Sequence, residues 1–593
     1  MSTAIAVLPF VNMSSDPEQE YFADGMTEEI IAALSRIENL KVTSRSSAFY
    51  FKDKALPIKE IAEQLGVDVI LEGSVRLAGK QVRIAAQLIQ AEDDFHFWSE
   101  TWDRPLKNIF EIQDEISLLI AEKLREQFGH FEIEEHLVEP QTENLDAYAY
   151  SLRAKEHFNK WNPVDVKKAI KLWERALKLD PRHDESMVGL ADAYGFLGVT
   201  QSMDFIEAWE KVRDYTERAL QINPQNAGAY YQLANKAFFV DCDFREAYKQ
   251  GMKAIELMPN YPEAQQFMAF LYMLEGSMDK ASDHLGKALI INPLSEETLF
   301  YKAYYQYRTG DYTGALDQLN NLLERNPHNI PAYVTKSYVL LKLGRTEEVR
   351  AFIDSIDPEV MVETDRKGVL CLSYLLDSKA TEGDKLLAEL HKEAESPMAI
   401  QAHSYVFTAY AVQEKPAVAF AWLEDHLEMK SSVLLLGFSD PLVEPIKSDH
   451  RYASFAKELY NREEIKLKAE AKAALLDEST AAELTTRLKT FMDEDEPFLD
   501  PSLSLRALSG RLDIHPNKLS WLLNQSFGKN FNNFVNHYRV NRFKSLATDP
   551  DNSHISLIGL AYESGFNSKT VFNTYFKKET GQTPNSFLKQ NRT

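Results

Sequence analysis

A chain of 593 residues has room for about four domains of ordinary size, and its 44% hydrophobic and 26% charged content excludes a disordered or fibrous protein. Two cysteines, Cys242 and Cys371, exclude a disulfide framework and read as small apolar residues of a reducing compartment. The net charge of −24 is uneven: from residue 501 on, twelve Lys and Arg stand against five Asp and Glu, so this tail is +7 and residues 1–500 carry −31.

The start, Met1 to Phe10, has no basic region and too short an apolar stretch for a signal peptide. The longest apolar runs, such as Val433 to Leu436, fall far short of the roughly 20 residues a membrane helix needs. A cytoplasmic chain with no membrane contact is expected. Ala4 to Val11 alternates as a strand, and Thr27, followed by Glu28 and Glu29 and then Ile30, Ile31 and Leu34, predicts a helix start. Strands follow at Leu40–Thr43, Val67–Arg76, Gln81–Gln90 and Phe95–Thr101, with a helix at Ile58–Leu65, a turn at Gly79-Lys80 and a closing helix over Leu106–Leu124. These elements make a small α/β domain over residues 1–125. Asp16, Glu18, Glu20 and Asp24 lack the spacing of a calcium loop and read as a solvated loop. Arg45, Ser46 and Ser47 suit an anion or, as the preferred reading, a cap and loop contact.

The wording I-A-V-L-P-F at 5–10, D-P-E-Q-E-Y-F-A-D-G-M-T-E-E-I at 16–30, L-G-V-D-V-I-L-E-G-S-V-R at 65–76 and W-S-E-T-W-D-R at 98–104 resembles the TolB-like amino-terminal domain. The resemblance implies a sensory or assembly role and no reaction.

From residue 140 to 460 the chain repeats. Ala-Leu-x-Leu-Asp-Pro181, Ala-Leu-x-Ile-Asn-Pro224, Ala-Ile-x-Leu-Met-Pro259, Ala-Leu-x-Ile-Asn-Pro293 and Leu-Leu-x-Arg-Asn-Pro327 recur, mostly 34 or 35 residues apart. Ala247, Ala281 and Ala315 keep the same step, as do Ala269 and Ala303. This is the tetratricopeptide period, and it predicts stacked helical pairs in an α-solenoid whose concave face takes a peptide or protein partner. Tyr301, Tyr304, Tyr305 and Tyr307 either line that face or fill the core between helices. Asp440 to His450 reads as the closing turn.

Residues 461–478 read as a charged helical linker, and Thr480-x-x-Glu483 as the capping box that opens a last domain over 479–593. There a pattern occurs twice. Leu503-Ser504-Leu505 precedes Ile555-Ser556-Leu557 by 52 residues, and Leu519, Leu523 and Gly528 precede Phe572, Phe576 and Gly581 by 53. Each copy reads as helix, tight turn, helix. Between them Asn530 to Thr548 reads as one helix with Phe534, Tyr538 and Leu546 inward, roughly 28 Å long. That length holds two reading helices about one DNA turn, near 34 Å, apart.

Two such units joined by a long helix, with G-F-x-S before the second reader and K-K-x-x-G-x-T-P after it, resemble the AraC-type DNA-binding domain. Ser509 stands where that pattern has alanine and Asp513 where it has the turn glycine, so a slightly costlier turn is expected. The resemblance implies that the first reader presents Asn517, Ser520 and Trp521 to bases, helped by His515 and Lys518, although Trp521 also suits packing against the linker helix. The second presents Lys569, Thr570, Asn573 and Thr574. Lys529, Arg542, Lys577 and Lys578 are placed as phosphate contacts. The basic balance is confined to the segment that would meet DNA.

The sequence shows no phosphate loop, H-E-x-x-H, G-x-S-x-G or C-x-x-C. The expectation is a mostly α protein, not an enzyme, with no catalytic residue, metal or cofactor: a bacterial, one-component transcription regulator that binds double-stranded DNA. The competing class is an interaction scaffold whose tail is secondary. Docking of the acidic body on the basic tail is one route of control and homodimerisation another; the negative charge of the body equally suits solubility alone.

Overall fold

The computed structural model describes residues 3–15, 19–79, 81–105, 109–138, 142, 144–158, 163–200, 202–327, 329–358, 360–377, 379–396, 399–427, 432–460 and 475–591. Six strands build the amino-terminal sheet: β1 (Thr3–Val7), β2 (Val11–Asn12), β3 (Leu40–Val42), β4 (Val69–Ala78), β5 (Gln81–Gln90) and β6 (Phe95–Pro105). Their order is β3-β1-β4-β5-β6, with β2 also paired to β4. β1 runs parallel to β3 and β4, as crossovers through helices require, and β4, β5 and β6 form an antiparallel meander. Helices α1 (Glu20–Ser35) and α4 (Ile109–Phe128) cover one face, where Val82, Ile84, Ala86 and Leu88 of β5 join Ile112, Ile116, Ile120 and Leu124 in one core. The short α2 (Arg45–Phe49) and α3 (Ile58–Leu65) lie against β1 and β4.

Two sequence expectations change here. The first helix begins at Glu20, about two turns before Thr27. Thr27 is fully buried inside it, its hydroxyl donating to the Ala23 carbonyl (2.9 Å) and accepting from Phe10 N–H (2.9 Å), so it ties helix to strand and caps nothing. Glu20 and Asp24 of the acidic run pair with Lys52 at 2.9 and 2.6 Å, while Asp16 and Glu18 lie outside the described residues. Lys80 of the expected turn and residues 106–108 of the closing helix also lie outside them.

The array runs in helical pairs from Leu145–Phe158 to Pro416–Leu427. Ala247, Ala269, Ala281, Ala303 and Ala315 are all fully buried, because their small side chains let neighbouring helices approach. Four second helices end as predicted. Asn223, Met258, Asn292 and Asn326 donate their N–H groups to the last turn, and the following proline stops the helix. The end of the array folds back across earlier repeats. Tyr307 is buried and donates to Asp440 (2.7 Å), Arg308 donates to Ser439 and to the Met273 carbonyl, and Tyr460 packs edge-on against Phe244. Tyr301, Tyr304 and Tyr305 are half-buried against the same core.

The sheet domain rests on the array. Asn260 donates to the carbonyls of Ser35 (3.0 Å) and Leu40 (2.9 Å). Asn292 accepts from the hydroxyls of Ser44 (2.5 Å) and Ser47 (2.8 Å), while Arg45 pairs with Glu28. The Ser-Arg-Ser-Ser stretch is thus a cap and a contact between domains. Of the linker at 461–478, residues 461–474 lie outside the described residues. The last domain opens at Glu478, capped by Asp477. Thr480, expected as the cap, instead donates its hydroxyl to Asp477 at 2.7 Å.

Candidate nucleic-acid interface

The carboxyl-terminal domain holds two helix-turn-helix units built alike. In the first, Leu505–Arg511 is capped by Ser504 and followed by the reader Pro516–Phe527, capped by His515. In the second, Leu557–Glu563 is capped by Ser556 and followed by the reader Lys569–Thr580, capped by Ser568. Both readers end on a left-handed glycine, Gly528 or Gly581. The turns are left-handed as well. Asp513 has φ +51° and points to solvent, so the expected departure is accommodated. Gly565 has φ +93°, and a Cβ there would meet the Phe498 carbonyl oxygen at 2.2 Å, so this position requires glycine.

The helix Phe531–Thr548 joins the units and serves two cores. Phe531, Phe534 and Val535 pack into the first unit; Val540, Phe543 and Ala547 pack into the second, where Phe543 meets Phe572 and Phe576. Tyr538 and Leu546, expected inward, are half-buried at the edges of these cores. Arg539, unmarked in the sequence, is 8% exposed and donates to the carbonyls of Phe498 and Asp500 (both 2.8 Å). Burial pushes its guanidinium down to about 10. It fastens the segment Pro497–Leu499 to the joining helix and does not face a ligand.

The second reader has a clean division. Phe572 and Phe576 are buried, and Lys569, Thr570, Asn573, Thr574, Lys577 and Lys578 are exposed. Lys578 reaches Asn533 at 3.1 Å. Lys529 and Arg542 are half-buried, and Arg542 lies 3.8 Å from Glu496. The first reader differs. Asn517 donates to the Ile133 carbonyl (3.2 Å) and accepts from Arg125, both in the amino-terminal domain. Ser520 is 3% exposed, and Trp521 is half-buried against the first core. His515 and Lys518 are exposed. Nothing in the spacing of these residues signals the contact with residues 125–133.

Known proteins match the chain part by part. Residues 508–590 match a helix-turn-helix domain. Residues 1–119 match the second domain of HilA/YgeH-like transcriptional regulators, and residues 307–363 a tetratricopeptide repeat. The chain is similar to a Rhizobium meliloti protein that carries the provisional name adenylate cyclase 3, with 39% identity over 206 residues, 35% of this chain and 34% of that one. It is similar to the transcriptional regulator HilA of Salmonella typhimurium, with 21% identity over 196 residues, 33% of this chain and 29% of that one. The chain thus spans about a third of the length of these relatives. Among solved structures, a thermophilic tetratricopeptide protein of Thermus thermophilus is 21% identical, covering 33% of this chain and 99% of that one, with a TM-score of 0.27. The domain content is that of a transcription regulator carrying protein-interaction repeats. No helix among the described residues is long and apolar enough to cross a membrane, and no group of His, Cys, Asp or Glu among them suits a metal ion.

Proposed function

We propose that this chain is a sequence-specific DNA-binding transcription regulator of the one-component kind, working in the cytoplasm. The observation that carries the reading is the second reader. Its apolar residues are consumed by the core, while Lys569, Thr570, Asn573 and Thr574 form one exposed stripe flanked by Lys577 and Lys578. Amide, hydroxyl and ammonium groups on such a helix match the donor and acceptor pattern of the major groove, and the flanking lysines match phosphates. The TolB-like sheet domain and the repeats serve as sensory and protein-binding modules, and the first reader supplies the second half-site through Asn517, Ser520 and Trp521 once its face is open.

Selection of duplexes from a randomised library by the full chain tests this. A recurrent sequence should emerge, and Lys569→Ala or Asn573→Ala should cost about 1–3 kcal/mol there and relax one position. Equal losses on selected and random duplex would reduce either residue to a backbone contact.

A further inference from the structure

The first reader helix lies against the amino-terminal domain. Arg506, beside the first unit's cap, pairs with Glu122 at 2.6 Å. Asn517 spends its carbonyl on Arg125 and its amide on Ile133. Asn532 donates to Gln127 at 2.8 Å, and Asn530 to the Gln127 carbonyl at 2.5 Å. Asn524 sits over Gly129, where a Cβ would stand 3.1 Å from its amide oxygen.

On a helix with 3.6 residues per turn, positions 517, 520, 521 and 524 fall within one arc of about 100°. Apart from Trp521 at its edge, this is the polar arc, opposite Leu519, Leu522 and Leu523 of the core. It is also the arc that a helix-turn-helix reader turns to the groove, with its amino-terminal end foremost. Asn517 and Asn524 on that arc meet residues 125–133, and Ser520 between them is buried. We propose that the end of α4 and residues 129–133 form an intramolecular docking surface for the first reader, and that duplex DNA must displace it. The proposal rests on the DNA-binding reading above.

The contact is built for release. The apolar cores of the two domains are separate clusters, so parting them leaves each core whole. The contacts named above are polar, and each such bond lost is exchanged for one with water. Arg125 is 2% exposed, and its Nε has no hydrogen-bond partner among the described residues, so parting rehydrates it. The second reader's stripe stays open throughout. The docked chain therefore presents one reader and the undocked chain two. By linkage, DNA that holds both readers weakens the docking by the same factor that docking weakens DNA.

The test uses the full chain as wild type, as Glu122→Arg/Gln127→Ala, and as Glu60→Arg. The last is a matched charge control at an exposed site on α3. Each is titrated with the duplex selected above and with versions scrambled in one half. The double variant should bind the intact duplex on the order of tenfold more tightly than wild type. That gain should vanish when the half unaffected by Lys569→Ala is scrambled, and Glu60→Arg should show only a small, sequence-independent gain. In wild type, saturating DNA should speed hydrogen exchange at residues 125–133. Equal affinities for wild type and double variant, or unchanged exchange at 125–133, would overturn the docking proposal alone. If no version of the chain binds any duplex, the DNA-binding reading falls and this one with it.

Discussion

Gly565→Ala should unfold the second reader unit while leaving the first in place. The backbone there has φ +93°, and an added Cβ would sit 2.2 Å from the Phe498 carbonyl oxygen, 2.9 Å from Leu499 Cα and 3.1 Å from Arg539 Nε. The first two neighbours are main chain and cannot swing aside. Holding a side chain in that conformation costs about 1–3 kcal/mol. Overpacking against fixed atoms adds about 1–3 kcal/mol. The same carbonyl is also the one Arg539 holds at 2.8 Å, so moving it breaks the bond that anchors the joining helix. A total of about 2–6 kcal/mol follows from these two terms, a large share of one domain's stability. The partner experiment is Asp513→Gly at the matching turn, where φ is +51° and the side chain is exposed. Relief of about 1 kcal/mol there is offset by glycine's freer unfolded chain, so a nearly neutral result is expected. Hydrogen exchange within the full chain reads both, since each 1.4 kcal/mol changes local opening about tenfold. Gly565→Ala should accelerate exchange across residues 557–588 and leave 505–527 slow. Unchanged exchange over 557–588 would refute the reasoning from backbone clash.

Inserting two residues after Asn541 turns one unit by about 200° relative to the other, so selected-duplex affinity should collapse while circular dichroism stays helical; unaltered affinity would mean that one unit reads alone. Asn292→Ala strips the shared acceptor from the Ser44 and Ser47 hydroxyls. It should cost about 1–3 kcal/mol of contact between sheet domain and array, read as faster exchange at residues 44–49. Burial raises the Glu29 carboxyl to about 7, against the pull of Lys155 and with Glu28 and Glu185 adding to the rise. A carboxyl raised in the folded state holds its proton there more tightly than in the unfolded chain. Stability around it should therefore grow as pH falls from about 7 toward the ordinary carboxylate range, and Glu29→Gln should flatten that slope in thermal melts.

Much of the architecture was legible because it repeats. A 34-residue step with prolines at helix ends needs only local physics: small residues at close crossings, and a residue that cannot continue a helix. The doubled helix-turn-helix was legible for the same reason, and the buried Phe572 and Phe576 with exposed Lys569 and Asn573 follow directly from helical spacing. The start of the first helix was misread because Thr27 has the chemistry of a cap, while its partner, Phe10, is 17 residues away. Arg539 looked like one more basic residue of a DNA-binding tail, and only its burial shows that it is a brace.

By itself, then, the sequence determined what depends on neighbours along the chain: helices, turns, the period of the array, and which side of each reader is polar. Tertiary structure alone decided what that polarity meets. The polar arcs of the two readers are equivalent as patterns, yet Asn517 lies on the amino-terminal domain and Asn573 faces solvent. Glu122, Gln127 and Arg506 carry no periodicity that marks them as partners, because a polar contact between domains needs only complementary donors and acceptors brought together by the fold, and such groups are found on every surface.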